Sequence, residues 1–163
     1  MKYLPIGLNV REKKCLVVGG GPIGERKVRN LLGAGAAVSL VSPEVTRGLA
    51  DLAASGRISL SREEYREEHL DGVFLAVAAT DDRDLNARVA EAAGSRGILV
   101  CDASSAIRSE VIFGALHSQE GLTVAVFTDG QDPSRARRVR DRIAGLVSQG
   151  EGGGATPLRV KKE

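Results

Sequence analysis

The stretch "KCLVVGGGPIGERKVRNLLG", residues 14–33, decides the fold of this chain, because an apolar run passes through three glycines into an amphipathic segment. The apolar run predicts a buried strand over residues 14–20. Behind the glycines, Ile23, Val28 and Leu31 recur at helical spacing, which predicts a helix that ends near the next glycines. The sequence therefore predicts a strand, a tight turn and a helix, in that order.

This pattern repeats along the first two thirds of the chain. Further apolar runs predict strands at 37–42, 57–62, 73–80 and 98–104. Helical patterns stand between most of them, and Ser42 followed by Pro43 predicts the N-cap and first position of the second helix. Strands that alternate with helices at this spacing indicate an α/β protein, a Rossmann-like doubly wound parallel sheet.

The pattern changes after residue 105. "EVIFGAL" and "LTVAVFT" predict two strands that pair as a β-hairpin around the turn-like "HSQEG", and the segment from Asp132 to Gln149 predicts a C-terminal helix. The residues beyond that helix are too poor in apolar side chains to fold. We therefore expect a cofactor-binding domain over 1–105, a hairpin with its packing helix over 106–149 and a flexible tail over 150–163.

The composition is that of an ordinary globular protein. The 163 residues are 42% hydrophobic and 27% charged, enough to bury one core. Because the sequence has neither a long apolar segment nor the features of a signal peptide, we expect a cytoplasmic protein without a membrane anchor. Cys15 and Cys101 lie in apolar runs without CxxC spacing, so buried free thiols are expected.

The glycine turn has the spacing of a dinucleotide-binding loop. Gly19, Gly21 and Gly24 satisfy G-x-G-x-x-G directly after a strand and at the opening of a helix. In such a loop the first glycine permits the tight turn, the second admits a pyrophosphate and the third allows close helix–strand contact. The alternative is a tight corner that binds nothing. The acid typical of an NAD site is missing from the second strand tip, where Ser42 and Pro43 stand, although Glu44 is close by.

Basic residues are concentrated near the end of the chain. The segment "SRARRVRDR" holds five arginines against one acid. It is either a solvated helix face or a site for a polyanion. A nucleic-acid partner is not expected, because the helix has no aromatic side chain on which bases could stack.

Four motifs that follow one another along the chain are together specific enough to indicate a protein family. They are Pro5-Ile6, "VGGGPIGERK" from Val18 to Lys27, "VSPE" from Val41 to Glu44 and "AATDDRDLN" from Ala78 to Asn86. Over about residues 4–147 the chain resembles the precorrin-2 dehydrogenase/sirohydrochlorin ferrochelatase family, the dehydrogenase domain of siroheme synthase. The resemblance implies NAD-dependent oxidation of precorrin-2 to sirohydrochlorin by a homodimer.

The resemblance also implies positions for the ligands. NAD would lie with Gly21, Pro22 and Ile23 near the pyrophosphate, Ser42 and Pro43 near adenosine, and Thr80 and Asp81 near the nicotinamide. Precorrin-2 carries eight carboxylates, and the guanidinium of arginine matches a carboxylate. Arg135 and Arg138 are therefore candidate substrate-binding residues.

The chain departs from the family where an aspartate is expected as general base. An alignment without gaps puts Ser104 at that place, and Asp102 is the nearby carboxylate. Either Asp102 or a water on Ser104 assists proton removal, or the chain is a non-catalytic NAD(H)-binding relative that acts as a redox sensor or partner. Some members insert ferrous iron, but His69 and His117 have no partner at metal-ligand spacing, so no metal site is predicted.

Overall fold

The computed structural model describes residues 2–149, which form two compact units. The first extends to Ile112 and the second begins at Phe113, seven residues after the boundary placed at 105 by the sequence analysis. The predicted tail over 150–163 lies outside the described residues.

The first unit is a five-stranded parallel sheet. Its elements are β1 (Lys14–Gly20), α1 (Pro22–Gly33), β2 (Ala37–Val45), α2 (Arg47–Ala54), β3 (Ser59–Ser61), a 3-10 helix (Glu67–Leu70), β4 (Leu75–Ala78), α3 (Arg83–Ser95) and β5 (Leu99–Asp102). The strand order is β3-β2-β1-β4-β5, with every neighbouring pair parallel. This order is that of the first five strands of the Rossmann sheet, 3-2-1-4-5-6, so the predicted fold class is confirmed.

The central strand β1 is buried because helices cover both faces of the sheet. Leu16 and Val18 belong to the core cluster that Val89 and Ala93 of α3 complete. Val17, on the opposite face of the same strand, lies beneath α1. Since successive side chains of a strand alternate between faces, a continuous apolar run is what a strand covered on both sides requires.

The predicted start of the second helix is wrong. Strand β2 continues through Ser42 and Pro43 to Val45, and the helix starts after Thr46, whose Oγ1 accepts a hydrogen bond from Leu49 N at 3.3 Å. The ladder between β1 and β2 shifts register at its end, so that Gly20 pairs with Val45. A proline fits at such an irregular point of the ladder, so Pro43 does not begin a helix.

The second unit is a hairpin with one helix. Strands β6 (Ala115–Gln119) and β7 (Leu122–Val126) pair antiparallel, and α4 (Pro133–Gln149) packs against both. The turn is Glu120-Gly121, with both φ angles positive, as a two-residue type I′ hairpin turn requires. His117, expected in the turn, instead lies within β6 opposite Val124, and its Nε2 is buried. The predicted turn was too long because Ser118 and Gln119 also pair across the strands.

Candidate cofactor-binding site

A cleft of about 700 Å³ opens beyond the carboxyl ends of β1, β2 and β4. The chain leaves β1 toward β2 on one side, and β4 lies on the other, so this is the point where the strand order reverses. Ligands of open α/β sheets bind at such a point. Eight of the nine predicted cofactor-binding residues line the cleft: Gly19, Gly21, Pro22, Ile23, Ser42, Pro43, Thr80 and Asp81.

The three motif glycines have different surroundings. A Cβ on Gly19 would lie 2.5 Å from the Ala79 carbonyl oxygen, and a Cβ on Gly24 would lie 2.0 Å from the Gly19 carbonyl oxygen. Both contacts are with backbone, which cannot rotate away. A Cβ on Gly21 would meet nothing within 4 Å, and Gly21 lines the cleft. Gly19 thus lets β1 approach the residue that follows β4, Gly24 lets α1 approach β1, and Gly21 leaves space for a ligand.

The amino terminus of α1 is open toward a ligand. Helix α2 is capped by the Thr46 side chain, and α3 is capped by Asp82, whose Oδ1 accepts from Asp84 N and Leu85 N. The N-cap of α1 is Gly21, which has no side chain to cap with. The first-turn amides and the helix dipole therefore remain available for an anion, and the pyrophosphate of NAD fits this cradle.

Ser42 holds the glycine turn together. Its Oγ accepts a hydrogen bond from Gly20 N at 3.0 Å and donates one to the Glu44 carbonyl oxygen at 2.7 Å. A Cβ on Gly20 would lie 2.1 Å from that same carbonyl oxygen, so the middle glycine of the triplet admits the end of β2. Sequence reasoning missed Gly20, although three consecutive glycines exceed what the motif uses. The carboxylate that lines this end of the cleft belongs to Glu44.

Asn86 fixes the loop at the other end of the cleft. Its Oδ1 accepts from Thr80 N at 3.1 Å and lies 2.7 Å from Thr80 Oγ1, and its Nδ2 donates to Thr80 O at 3.0 Å and to Ser104 Oγ at 3.3 Å. Asn86 is fully buried. Because the whole amide is satisfied, this side chain sets the position of Thr80 in the cleft.

The predicted catalytic pair lies at the end of β5. Asp102 Oδ1 accepts from Ser104 N at 2.8 Å and from Ser104 Oγ at 2.6 Å, and Asp102 Oδ2 accepts from Arg108 Nε at 2.7 Å. The Asp102 side chain is completely buried, whereas Ser104 is exposed. Together with Asn86, these residues form a continuous hydrogen-bonded chain from Arg108 to the cleft residue Thr80. Sequence reasoning missed Arg108, and it included Asn86 in a motif without giving that residue a role.

The two predicted substrate-binding residues, Arg135 and Arg138, are exposed on α4 of the second unit. Asp132 accepts a hydrogen bond from Arg135 N through Oδ1 at 2.8 Å, which is the geometry of a helix cap. Asp132 therefore stabilises the start of the arginine-rich helix.

The histidines and cysteines of the described residues differ in their surroundings. Within residues 2–149 no three His, Cys, Asp or Glu side chains group closely enough to hold a metal ion. His69 lies against Glu63 and Arg66. Both cysteines are buried thiols outside any disulfide, as expected, and burial raises the pKa of Cys15 to about 11. None of the helices in this part of the chain is long and apolar enough to cross a membrane.

A parallel sheet in the order 3-2-1-4-5, with a glycine turn and an uncapped helix at its switch point, defines a dinucleotide-binding domain of the Rossmann type. Residues 6–115 match the model of a family described as "Putative NAD(P)-binding". The solved structure "SirC, precorrin-2 dehydrogenase" is similar with a TM-score of 0.75 and 30% identity, over 88% of this chain and 71% of that one. The chain belongs to the precorrin-2 dehydrogenase family, and the resemblance seen in the sequence is confirmed.

Curated relatives carry the name siroheme synthase. That of Chromobacterium violaceum is 43% identical over 152 residues, and that of Photobacterium profundum is 36% identical over 156 residues. The matches cover 93% and 96% of this chain but 32% and 33% of the relatives. The chain therefore spans about a third of the length of the curated relatives it matches.

Proposed function

We propose that this protein oxidises precorrin-2 to sirohydrochlorin with NAD, in the cytoplasm. The observation that carries the proposal is the likeness to the precorrin-2 dehydrogenase structure, which extends over 88% of this chain. The likeness extends beyond the dinucleotide-binding unit, because that unit ends at Ile112 and makes up less than 88% of the chain. A dinucleotide fold alone would leave the substrate open.

NAD supplies the hydride acceptor when it is bound in the cleft. The residues of the chain orient it: the open start of α1 at Gly21 holds the pyrophosphate, and Thr80 with Asp81 borders the nicotinamide. Glu44 is the carboxylate that lines the adenosine end. A carboxylate there accepts hydrogen bonds from ribose hydroxyls and repels a 2′-phosphate, which favours NAD over NADP. The Ser42 hydroxyl hydrogen already points to the Glu44 carbonyl, so Ser42 shapes this end of the cleft.

Oxidation of precorrin-2 also releases a proton, which the chain must accept. Ser104 Oγ is the exposed member of the predicted pair, and its own hydrogen is directed at Asp102 Oδ1 over 2.6 Å. In this proposal Ser104 Oγ takes the proton from the substrate while it passes its own hydrogen to Asp102. The completely buried carboxylate thus receives the proton through the hydroxyl.

Arg135 and Arg138 bind substrate carboxylates in this proposal, as arginine does elsewhere. Two copies of the chain form a homodimer, as family membership implies. Large apolar side chains exposed on the second unit support this: Leu122 is 49% and Leu146 is 70% exposed. Light scattering coupled to size exclusion measures the mass and tests the dimer directly.

The reaction is tested by anaerobic incubation of the purified chain with precorrin-2 and NAD, following NADH and the sirohydrochlorin spectrum. Gly21→Asp places a carboxylate in the pyrophosphate cradle and should abolish NAD binding and NADH formation. Gly33→Asp is the matched control, because it puts the same side chain at the exposed far end of the same helix. Asp102→Ala and Ser104→Ala should bind NAD and lose most of the turnover.

The assay separates the two functions that the sequence left open. NADH formation by the wild type and by Gly33→Asp, lost in Gly21→Asp, supports the dehydrogenase. NAD binding without any turnover of precorrin-2 would refute it and leave the non-catalytic NAD(H)-binding relative.

A further inference from the structure

We propose that Arg108 binds a carboxylate of the tetrapyrrole substrate and that Asp102 holds the guanidinium in position for it. The inference rests on the proposed function for its substrate class, an octacarboxylate tetrapyrrole. It gives a role in substrate binding to a residue that belongs neither to the glycine motif nor to the arginine-rich helix.

The ion pair of these two residues is asymmetric. Arg108 Nε donates to Asp102 Oδ2 at 2.7 Å. The other carboxylate oxygen, Oδ1, accepts hydrogen bonds from the Ser104 backbone N and from Ser104 Oγ. The usual fork, in which one guanidinium edge meets both carboxylate oxygens, is therefore not formed. The two Nη groups, which carry four of the five N–H donors of an arginine, donate to no residue in the described part of the chain.

The two side chains of the pair differ in burial. The Asp102 side chain is 0% exposed, whereas the Arg108 side chain is 40% exposed. Since Asp102 is itself fixed by two hydrogen bonds from Ser104, it restricts the rotation of the guanidinium. A long side chain that is oriented before binding loses less conformational entropy when it binds a carboxylate.

The position of Arg108 agrees with this role. Asp102 ends β5 at the carboxyl edge of the sheet, where α/β proteins bind ligands. The chain of hydrogen bonds through Ser104 and Asn86 links it to Thr80, which lines the cofactor cleft. Ser104, the proposed proton acceptor, is thus bonded to the carboxylate that holds Arg108. A substrate carboxylate on Arg108 would orient the tetrapyrrole relative to Ser104.

The test uses uroporphyrin III, an octacarboxylate tetrapyrrole that needs no turnover, titrated by its fluorescence against the NADH-bound protein. Arg108→Gln should weaken its binding about tenfold, the value of one hydrogen bond between charged groups. Arg108→Lys keeps the charge but loses the planar fork, and should weaken binding by a smaller factor. Arg57→Gln is the matched control, since Arg57 is an exposed arginine that precedes β3 at the opposite edge of the sheet.

A second pair of variants removes the structural effect of Arg108. Arg108→Gln alone leaves the buried Asp102 charge without its partner, which could change the fold. In an Asp102→Asn background no carboxylate charge is orphaned, so Arg108→Gln should still weaken uroporphyrin binding, but by less than about tenfold because the carboxylate that orients the guanidinium is gone. Titration with NADH checks that each variant retains its cofactor cleft.

The outcomes distinguish this proposal from the proposed function. If uroporphyrin binds Arg108→Gln as tightly as Arg57→Gln in both backgrounds, Arg108 only neutralises Asp102 and the proposal is overturned. If Arg108→Gln loses affinity in both backgrounds and retains NADH binding, it is supported. NADH formation from precorrin-2 by the wild type, measured separately, decides the dehydrogenase whichever way the Arg108 result falls.

Discussion

Alanine substitutions at two glycines of one turn should have opposite effects, because their surroundings differ. At Gly24 the new Cβ would stand 2.0 Å from the Gly19 carbonyl oxygen. Neither atom can move without shifting α1 or β1, so we expect a loss of about 3 kcal/mol or more in unfolding free energy. For a chain of this size that lowers the melting temperature by about 6 to 12 °C. At Gly21 the Cβ meets no atom within 4 Å, and the backbone at φ −78° suits alanine, so stability should change by less than about 1 kcal/mol.

Binding should follow the reverse order. The Gly21→Ala methyl occupies the space we assign to the pyrophosphate and should weaken NADH binding about tenfold. Gly21→Asp adds charge repulsion of about 4 kcal/mol at close range, or about a thousandfold in Kd. Urea unfolding measures the stabilities and NADH fluorescence the affinities, with Gly33→Ala as the control for an unhindered helix position. A Gly21→Ala protein that binds NADH like the wild type would refute the cradle. A Gly24→Ala protein of wild-type stability would refute the packing argument.

Three further perturbations test single residues of the first unit. Asn86→Asp replaces the amide NH2 that donates to the Thr80 carbonyl by a carboxylate oxygen. This should lower the free energy of unfolding in urea by about 2 to 3 kcal/mol, whereas Asn30→Asp on α1 should change it little. A hydrogen bond from the Thr46 hydroxyl and, to a smaller extent, one from Arg29 lower the pKa of Glu25 below its ordinary 4.5. The ionised Glu25 carboxylate therefore stabilises the folded protein above that pH, and this contribution to the free energy of unfolding is lost as pH falls below it. A Glu25→Gln variant whose stability falls with acid in the same way as that of the wild type would contradict this. Burial raises the pKa of Cys15 from 9.0 to about 11, so wild-type stability should fall relative to Cys15→Ala as pH rises between those values, by about 2 to 3 kcal/mol. Equal alkaline profiles of the two proteins would refute that assignment.

The sheet could be predicted because its signals are local and agree with one another. The run from Cys15 to Val18 is apolar and buried at consecutive positions, as a strand covered on both faces requires. The glycines that follow admit close backbone contacts, and the helix behind them has its apolar residues on one side. Each of these features depends on residues within one strand–turn–helix segment, so composition and spacing were sufficient.

The boundaries that failed depend on contacts between distant segments. Ser42 and Pro43 have the residue types of a helix start, but Gly20 lies twenty-two residues away and bonds to the Ser42 hydroxyl. That bond, with the pairing of Gly20 and Val45, extends β2 and delays the helix until Thr46. A capping preference of about 1 kcal/mol is easily exceeded by a ladder pairing and a buried hydrogen bond together.

The chemistry at the end of β5 likewise depends on how the chain folds there. In the sequence, Asp102 and Ser104 are two alternative candidates for one role, because two residues on a strand are compared with a family position. In the structure the chain turns after Asp102, so both side chains share a hydrogen bond and Arg108 reaches the same carboxylate. A substitution of either residue therefore perturbs its neighbours as well, and single variants cannot apportion the proton transfer. A double-mutant cycle of Asp102→Asn and Ser104→Ala can. Turnover of the double variant equal to that of each single variant would mean that the two residues act as one relay, whereas independent losses would multiply.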